Sequence, residues 1–259
     1  MSPSEAKSLP MHVDECLAML ADNSDRVHFH HFPGLSANDL YEFLAAMSGY
    51  SLLKNSDGEL SVVVNKGRPR DYSSNGEVFD AHTDGLYYER PPQFALLYCL
   101  QSGQKQVPTF FIDTTNLIEI LSESEPSALA VLRDLDQVFV ARDGREYRRP
   151  VIEINPIDGN EVMNITLGRA YLRPAVAQST GKREPHQHET IAAFQRLLAR
   201  LPEARSLVHA WSPGDLLLWD NHRFIHGRGD ANDSVGRSLI RAWFSPSTGL
   251  ATSTADHAA

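Results

Sequence analysis

Cysteine is scarce in this chain of 259 residues, which contains only Cys16 and Cys99. Two cysteines so far apart do not form the disulfide framework that stabilises small secreted proteins. The first residues also lack an apolar segment behind basic residues, so a signal peptide is not expected. Both absences favour a reducing compartment, and we predict a cytoplasmic protein.

Long apolar runs and an excess of positive charge are missing as well. No apolar run reaches the roughly 18 residues that a membrane-spanning helix needs, so no membrane association is expected. Lys and Arg number 24 against 33 Asp and Glu, a net charge of −9. Nucleic-acid binding requires a basic surface, so a nucleic-acid partner is not expected either. A small-molecule substrate fits this composition, and the oligomeric state is not encoded in it.

The remaining composition is that of an ordinary globular protein, with 42% hydrophobic and 22% charged residues. The length suits one domain with a large core, a size that all-β domains often reach as a single unit. We therefore predict a single domain over residues 11–245. Residues 1–10 and 246–259 are polar or rich in small residues and are predicted to be flexible.

Short strands dominate the hydrophobic pattern. Apolar or β-branched runs predict strands at 60–64, 94–100 and 236–244. Helical spacing appears at 188–201 and over 116–135, where Glu125 and Pro126 interrupt it. Many short strands with a few helices favour a barrel or sandwich over an array of βαβ units.

The most informative motif contains His82 and Asp84, with His226 much later in the chain. Residues two apart on an extended strand share one face, so His82 and Asp84 point the same way. Two histidines and one carboxylate that leave metal positions open are typical of non-heme Fe(II) oxygenases. The pattern alone is weak in a chain with 11 histidines. The alternative is that the three residues have structural roles only. His82 and Asp84 would then belong to a turn before Gly85, and His226 would be a buried histidine in a strand.

Two arginines after His226 favour the metal hypothesis. Arg237 and Arg241 stand on alternate positions of an apolar run and so share one face. Four residues of strand separate them by about 13 Å, a distance that two guanidinium arms can bridge. Arginine is suited to binding a carboxylate through paired hydrogen bonds. A dicarboxylate cosubstrate such as 2-oxoglutarate would occupy this position.

Three blocks of sequence, at 79–100, 108–113 and 214–241, carry a resemblance to a known family. They begin with Phe-Asp-Ala-His-Thr-Asp-Gly, Pro-Thr-Phe-Phe-Ile-Asp and Gly-Asp-Leu-Leu-Leu-Trp-Asp-Asn. In this order they resemble the Fe(II)/2-oxoglutarate-dependent oxygenases of the taurine dioxygenase and clavaminate synthase-like superfamily. The resemblance covers nearly the whole chain. It implies a mainly β fold with flanking helices, a distorted double-stranded β-helix of the jelly-roll, cupin-like kind.

The resemblance also implies the metal site. His82, Asp84 and His226 would bind Fe(II), with 2-oxoglutarate and O₂ as co-substrates, and no further catalytic side chain is implied. Asp84 would occupy the position that related halogenases leave to chloride. A carboxylate there favours hydroxylation, desaturation or ring formation over halogenation.

For the cosubstrate, the resemblance implies that Arg241 holds the distal carboxylate of 2-oxoglutarate. Thr109 would add a hydroxyl group to the same carboxylate, and Arg237 would assist at the other end of the molecule. The run that contains His82 and the His-Gly-Arg tripeptide at 226–228 are most similar to γ-butyrobetaine and trimethyllysine hydroxylases. The spacing of Arg241, fifteen residues after His226, is more similar to that of the taurine dioxygenases. Because the two resemblances point to different branches, neither assigns a substrate.

Aromatic and basic residues near the metal motif are candidates for substrate binding. Tyr72, Tyr87 and Tyr88 would form an aromatic cage for a quaternary ammonium group. The alternative for Tyr87 and Tyr88 is packing at the rim of the barrel. Arg169 and Arg173 would bind a substrate carboxylate, and the alternative is that they are solvated loop residues.

The other histidines are not predicted to bind metal. His28, His30 and His31 lie in one early strand with no third ligand nearby in sequence, a pattern more typical of a half-buried strand. His222 is a second candidate for the distal ligand, four residues before His226. Only His226 stands at the family interval from the arginines.

The sequence thus predicts a dioxygenase that hydroxylates an unactivated C–H bond, with succinate and CO₂ as co-products. The substrate class would be a small polar molecule of specialised metabolism, such as an amino acid, an amine or a betaine. A desaturase or oxidative cyclase is the first alternative, because the ligands do not determine the outcome. A cupin-like barrel that binds metal without turnover is the second.

Overall fold

The computed structural model describes residues 29–47, 49–54, 59–64, 79–104, 106–140, 144–155, 159–166, 185–229 and 236–247. The helices in this part of the chain are α1 (Ala37–Ala46), α2 (Thr114–Ser124), α3 (Pro126–Arg133) and α4 (Pro185–Arg200). The strands are β1 (Phe29–Phe32), β2 (Tyr50–Leu52), β3 (Leu60–Val64), β4 (Phe79–His82), β5 (Phe94–Gln101), β6 (Thr109–Asp113), β7 (Asp136–Val140), β8 (Glu146–Pro150), β9 (Ile152–Ile154), β10 (Glu161–Met163), β11 (Arg205–His209), β12 (Leu216–Asp220), β13 (Phe224–Arg228) and β14 (Ser238–Pro246). The expectation of a mainly β protein is confirmed.

Two antiparallel sheets form the body of the fold. The larger sheet runs β1-β12-β5-β14, and β2 and β3 both pair with the far side of β14. The smaller sheet runs β11-β6-β13-β4. Strands β7 and β8 pair separately, as do β9 and β10. Strands distant in sequence are therefore adjacent, which brings residues near 82, 109, 226 and 240 together.

Large aromatic side chains fill the space between the two sheets. Phe111 and Phe224 of the smaller sheet pack in one buried cluster with Trp219 and Trp243 of the larger sheet. Trp211, in the segment between β11 and β12, belongs to the same cluster. Their contacts fix the distance between the sheets, and the polar site residues lie in the same interior.

Helices cover the outer faces. Helix α1 packs Leu40 and Phe43 on the larger sheet, and Ser36 and Asp39 begin it with a reciprocal capping box. Helices α2, α3 and α4 pack on the outer face of the smaller sheet. In the described part of the chain, no helix has the length and hydropathy needed to cross a membrane.

Candidate functional site

His82 and His226 face each other across two paired strands. His82 is the last residue of β4, and His226 is its Cα partner in β13. The two rings have centroids 4.3 Å apart. Asp84 follows β4 by two residues, so the sequence spacing and the strand pairing together place all three side chains at one point.

The donor atoms converge closely enough for one metal ion. His82 Nε2 lies 3.4 Å from Asp84 Oδ1, and His226 Nε2 lies 3.7 Å from Asp84 Oδ2. Donor atoms of the three residues all lie within 4.8 Å of one another. Adjacent donors bonded to one ion at about 2.1 Å would lie about 3 Å apart. The three residues therefore fit a 2-His-1-carboxylate metal site with small adjustments.

The protonation states suit metal binding. Burial and the charges of His82 and Arg241 lower the pKa of His226 to about 3, although Asp84 acts in the opposite direction. Burial alone would raise the pKa of Asp84. The charge of His226, a hydrogen bond with His82 and the charge of Arg241 outweigh burial and hold that pKa well below its usual range. A neutral imidazole and an ionised carboxylate are the forms that bind a metal.

Neighbouring groups orient the metal-binding atoms. The His82 Nδ1–H group donates to the Asp80 carbonyl oxygen at 2.9 Å, which leaves Nε2 for a metal. Trp243 Nε1 donates to Asp84 Oδ2 at 2.9 Å. The Asn221 side chain accepts from the Asp84 backbone N–H at 2.9 Å and donates to the Asp84 carbonyl oxygen at 3.0 Å. Backbone and carboxylate of Asp84 are thus both held in place.

A cavity that is open to solvent at its mouth adjoins His82 and His226. His82 and His226 line it from the smaller sheet, together with Thr109 and Arg228. Arg237 and Arg241 line it from the larger sheet, so the expectation that both arginines point the same way is confirmed. Apolar lining comes from Val63, Leu97 and Leu239. Cationic groups face the histidines across a partly apolar space.

Arg237 and Thr109 form the far end of this cavity. Both side chains are buried, and Arg237 Nη2 donates to Thr109 Oγ1 at 3.4 Å. Trp211 Nε1 donates to the same oxygen at 2.9 Å. Because Thr109 Oγ1 accepts both bonds, its own proton is available to an acceptor in the cavity.

Arg241 lies beside the metal-binding residue Asp84. Its Nη1 lies 3.7 Å from Asp84 Oδ1, its Nε donates to Ser61 Oγ at 3.3 Å, and its guanidinium lies 4.4 Å from the Trp243 ring centroid. The sequence assigned Thr109 and Arg241 to the same carboxylate, whereas in the structure the arginine that contacts Thr109 is Arg237. Arg237 immediately precedes β14 and Arg241 lies within it, so the two guanidinium groups enter the cavity at different points along the chain.

Arg228 is a residue that sequence reasoning missed. It ends β13 as the partner of Thr109 in β6, is 6% exposed and lines the same cavity. Burial, and then the charge of Arg228, lowers the pKa of Arg237 to about 10. Two buried guanidinium groups concentrate positive charge at this end of the cavity, which is complementary to an anionic group. The sequence spacing could have predicted this position, because Arg228 lies two residues after His226 and so on the same face of the strand.

Of the predicted substrate residues, Tyr87 and Tyr88 are in the described part of the chain. Their ring centroids lie 4.8 Å apart, Tyr88 contacts the Trp243 ring edge, and both pack on the aromatic cluster between the sheets. Neither lines the cavity, which favours the packing alternative for both. Tyr72, Arg169 and Arg173 lie outside the described residues.

His222 is directed away from the metal residues. Its Nδ1 lies 3.3 Å from Glu153 Oε1, and its backbone N–H donates to Asp220. Asp220 also accepts hydrogen bonds from Gln93 and Asn155 and holds the turn between β12 and β13. His226 is therefore the histidine that approaches His82, as the sequence predicted.

Comparison with known sequences supports the family. The sequence model of the taurine catabolism dioxygenase TauD, TfdA family matches residues 14–243. Dioxygenase str8 of Strobilurus tenacellus is 25% identical over 185 residues, 70% of this chain and 42% of that protein. The 3-((Z)-2-isocyanoethenyl)-1H-indole synthase of Fischerella ambigua is 25% identical over 203 residues, 74% of this chain and 72% of that protein. Human γ-butyrobetaine dioxygenase is 23% identical over 170 residues, covering 62% of this chain and 43% of that protein.

Solved structures show the same fold. An asparagine oxygenase determined with Fe(II), 3-hydroxyasparagine and succinate superposes with a TM-score of 0.65 at 17% identity, covering 90% of this chain and 79% of that one. A taurine dioxygenase from Burkholderia xenovorans superposes with a TM-score of 0.62 at 19% identity, covering 93% of this chain and 85% of that one. The resemblance to the Fe(II)/2-oxoglutarate-dependent oxygenases, derived from the sequence blocks, is confirmed. The chain belongs to the taurine catabolism dioxygenase TauD, TfdA family.

Proposed function

We propose that this chain is an Fe(II)- and 2-oxoglutarate-dependent dioxygenase acting on a small molecule. His82 Nε2, Asp84 and His226 Nε2 would hold the iron. The supporting observation is one cavity lined by both imidazoles, Thr109 and three arginines. When bound, iron and 2-oxoglutarate supply O₂ activation coupled to decarboxylation, with succinate and CO₂ as products.

The distal carboxylate of 2-oxoglutarate would bind between Arg237 and Arg228. Thr109 would donate its hydroxyl proton to that carboxylate, since its oxygen already accepts from Arg237 and Trp211. Arg241, beside Asp84, would lie at the metal end of the cosubstrate or at a carboxylate of the substrate. These roles reverse those that the sequence assigned to Arg237 and Arg241.

The protein would contribute orientation and exclusion of water. His82, Asp84 and His226 are each less than 10% exposed. Trp243 and Asn221 hold Asp84 in one orientation, and the Asp80 carbonyl oxygen selects the His82 tautomer. Low water access strengthens every charge interaction in the cavity. We further propose that the two sheets form the double-stranded β-helix predicted from the sequence.

Hydroxylation of a C–H bond in an amino acid, amine or betaine-like molecule is the favoured reaction. The related L-lysine 3-hydroxylase of Catenulispora acidiphila and human γ-butyrobetaine dioxygenase support this substrate class. The carboxylate of Asp84 supports hydroxylation over halogenation. A carboxylate on the substrate would be complementary to the cationic cavity.

Desaturation is the second candidate. The related tyrosine isonitrile desaturase of Erwinia amylovora and the Fischerella isocyanoethenyl-indole synthase support it. The metal-binding residues do not distinguish the two outcomes, because the position of the substrate decides which bond changes. A non-catalytic metal-binding barrel is disfavoured, since it has no need of buried arginines facing the metal residues.

The test is substrate-stimulated formation of succinate. Purified protein with Fe(II), 2-oxoglutarate and O₂ would be screened against amino acids, betaines and small amines. Mass spectrometry of the product separates hydroxylation, which adds one oxygen atom, from desaturation, which removes two hydrogen atoms. Iron-dependent succinate that increases with a substrate would support the proposal, and complete absence of iron-dependent succinate, with or without substrate, would refute it.

A further inference from the structure

A second cluster of metal-binding side chains lies outside the cavity. His31 Nε2 is 3.3 Å from Asp215 Oδ1, and His209 Nε2 is 3.1 Å from Asp215 Oδ2. The two imidazole centroids are 4.7 Å apart, and donor atoms of the three residues all lie within 4.8 Å of one another. The cluster thus repeats the donor set of the first site, two histidines and one carboxylate.

The three residues come from separate elements at the edges of both sheets. His31 lies in β1, the edge strand of the larger sheet, and His209 ends β11, the edge strand of the smaller sheet. Asp215 immediately precedes β12, the neighbour of β1. In the described structure, no backbone hydrogen bonds join the edge strands β1 and β11. A metal ion bound by all three residues would therefore connect the two sheets at these edges.

Asp215 is held independently of the histidines. Its Oδ2 accepts from the Ser212 backbone N–H at 2.7 Å, and its own N–H donates to the Ser212 carbonyl oxygen at 3.0 Å. Its carbonyl oxygen accepts from the Cys99 N–H. The Asp215 side chain is buried, and the hydrogen bond from Ser212 orients its carboxylate toward the two imidazoles.

The imidazoles are suited to binding a cation. Burial, and then the charge of His31, lowers the pKa of His209 against the opposing effect of Asp215. An imidazole nitrogen offers a lone pair to a metal, and the side chain of His31 is 40% exposed, which gives an ion access from solvent. The residues that line the first cavity do not include His31, His209 or Asp215, so the cluster is separate from the proposed 2-oxoglutarate site.

We propose that His31, His209 and Asp215 form a second metal site that takes a divalent transition metal of the Zn²⁺ class and joins the two sheet edges. Imidazole nitrogen and carboxylate oxygen are ligands that Zn²⁺ accepts, and three protein donors leave one position for water. The role is structural. The His209 ring contacts the Trp211 ring at 4.7 Å, and Trp211 donates to Thr109, so the metal also supports one wall of the cavity.

The experiment counts bound zinc by equilibrium dialysis and elemental analysis of the metal-free full-length chain. Zn²⁺ also binds 2-His-1-carboxylate sites, so wild-type protein should bind two equivalents. His31→Ala and His82→Ala should each bind one, and the His31→Ala/His82→Ala double variant none. His188→Ala replaces an exposed histidine of α4 as the matched control and should bind two.

Thermal unfolding provides the second measurement. Zn²⁺ should raise the melting temperature of His82→Ala, where only the proposed site remains, and should not raise that of the double variant. Loss of one ligand should weaken zinc binding in the His82→Ala background at least 100-fold. Zinc binding by the double variant equal to that by His82→Ala would overturn the proposal. A melting temperature of His82→Ala that does not change on addition of zinc would also overturn the proposal. If instead the His82→Ala substitution alone did not reduce the number of bound zinc ions, that result would concern only the first site.

Discussion

His82 and His226 are directly opposed residues on antiparallel strands, with ring centroids 4.3 Å apart. Strand pairing, rather than a flexible loop, therefore fixes the spacing of the two imidazoles. Of the three residues, only Asp84 lies beyond the paired strands. Hydrogen bonds with the side chains of Asn221 and Trp243 hold it in place instead.

Asp84→Ala should abolish iron- and 2-oxoglutarate-dependent turnover, with at least a 100-fold loss of product. The substitution removes the anionic donor and leaves the Trp243 N–H without its acceptor. Product formation and iron affinity would be measured together. Asp80→Ala on the same strand is the control, because His82 uses only its backbone carbonyl oxygen. Full activity in Asp84→Ala would remove Asp84 from the site.

Arg237→Ala should raise the KM for 2-oxoglutarate more than Arg241→Ala does. Arg237 contacts Thr109 deep in the cavity, and loss of one partner of a buried ion pair costs about 3–5 kcal/mol. That energy corresponds to an increase in KM of roughly 100-fold or more. Thr109→Val, which removes only the hydroxyl group, should give a smaller increase. A larger effect of Arg241→Ala would restore the assignment made from the sequence.

Trp243→Phe should weaken Fe(II) binding about 10- to 100-fold, as expected when a group that orients a metal ligand is lost. Trp243 Nε1 donates to Asp84 Oδ2. Trp219→Phe is a matched control, since the buried Trp219 Nε1 has no hydrogen-bond partner among the described residues. Both variants remove the same indole volume from one cluster. Equal Fe(II) affinities of the two variants would show that packing, and not the hydrogen bond, matters.

Local patterns in the sequence were sufficient for much of the fold. The strand at 60–64 has the predicted bounds, and the interruption at Glu125 and Pro126 separates α2 from α3. In each case the signal is short-range, from β-branched residues or from proline at a helix start. Strand β8 was missed because its sequence, Glu-Tyr-Arg-Arg-Pro, is polar, and among the described residues β7 is the one strand that pairs with it.

Relationships between distant strands could not be read in the same way. The proximity of Thr109 to Arg237 depends on the register of β6, β13 and β14, which the sequence does not state. The cluster of His31 with His209 and Asp215 was missed for the same reason. His31 was judged by its neighbours in sequence, whereas His209 ends the edge strand of the other sheet and Asp215 precedes the neighbouring strand β12.

Glu161→Gln should lower stability at neutral pH, and the difference from wild type should vanish in acid. Arg133 donates to both carboxylate oxygens of Glu161, at 2.9 and 2.6 Å, and holds its pKa below the ordinary value of 4.5. The contribution is therefore complete above pH 4.5 and is lost as pH falls through the lower pKa of the folded state. Both side chains are partly exposed, so the loss should be about 0.2–1 kcal/mol. Urea unfolding from pH 3 to 7 would measure it.

Glu119→Gln is the control for that series, because it makes the same chemical change at an exposed position on α2. A stability difference for Glu161→Gln that persisted unchanged at pH 3 would show that the ion pair is not its cause.

Asn221→Leu should impair both stability and iron binding, because one amide holds the turn that carries Asp84. Its side chain exchanges hydrogen bonds with the Asp84 backbone and donates to the Pro92 carbonyl oxygen at 2.9 Å. Leucine has a similar volume but leaves these buried groups unpaired, at about 1–3 kcal/mol each. Urea unfolding of the metal-free protein measures the first effect, and Fe(II) titration measures the second. Reduced stability with unchanged iron affinity would mean that Asp84 keeps its orientation without Asn221, and that Trp243 alone is sufficient.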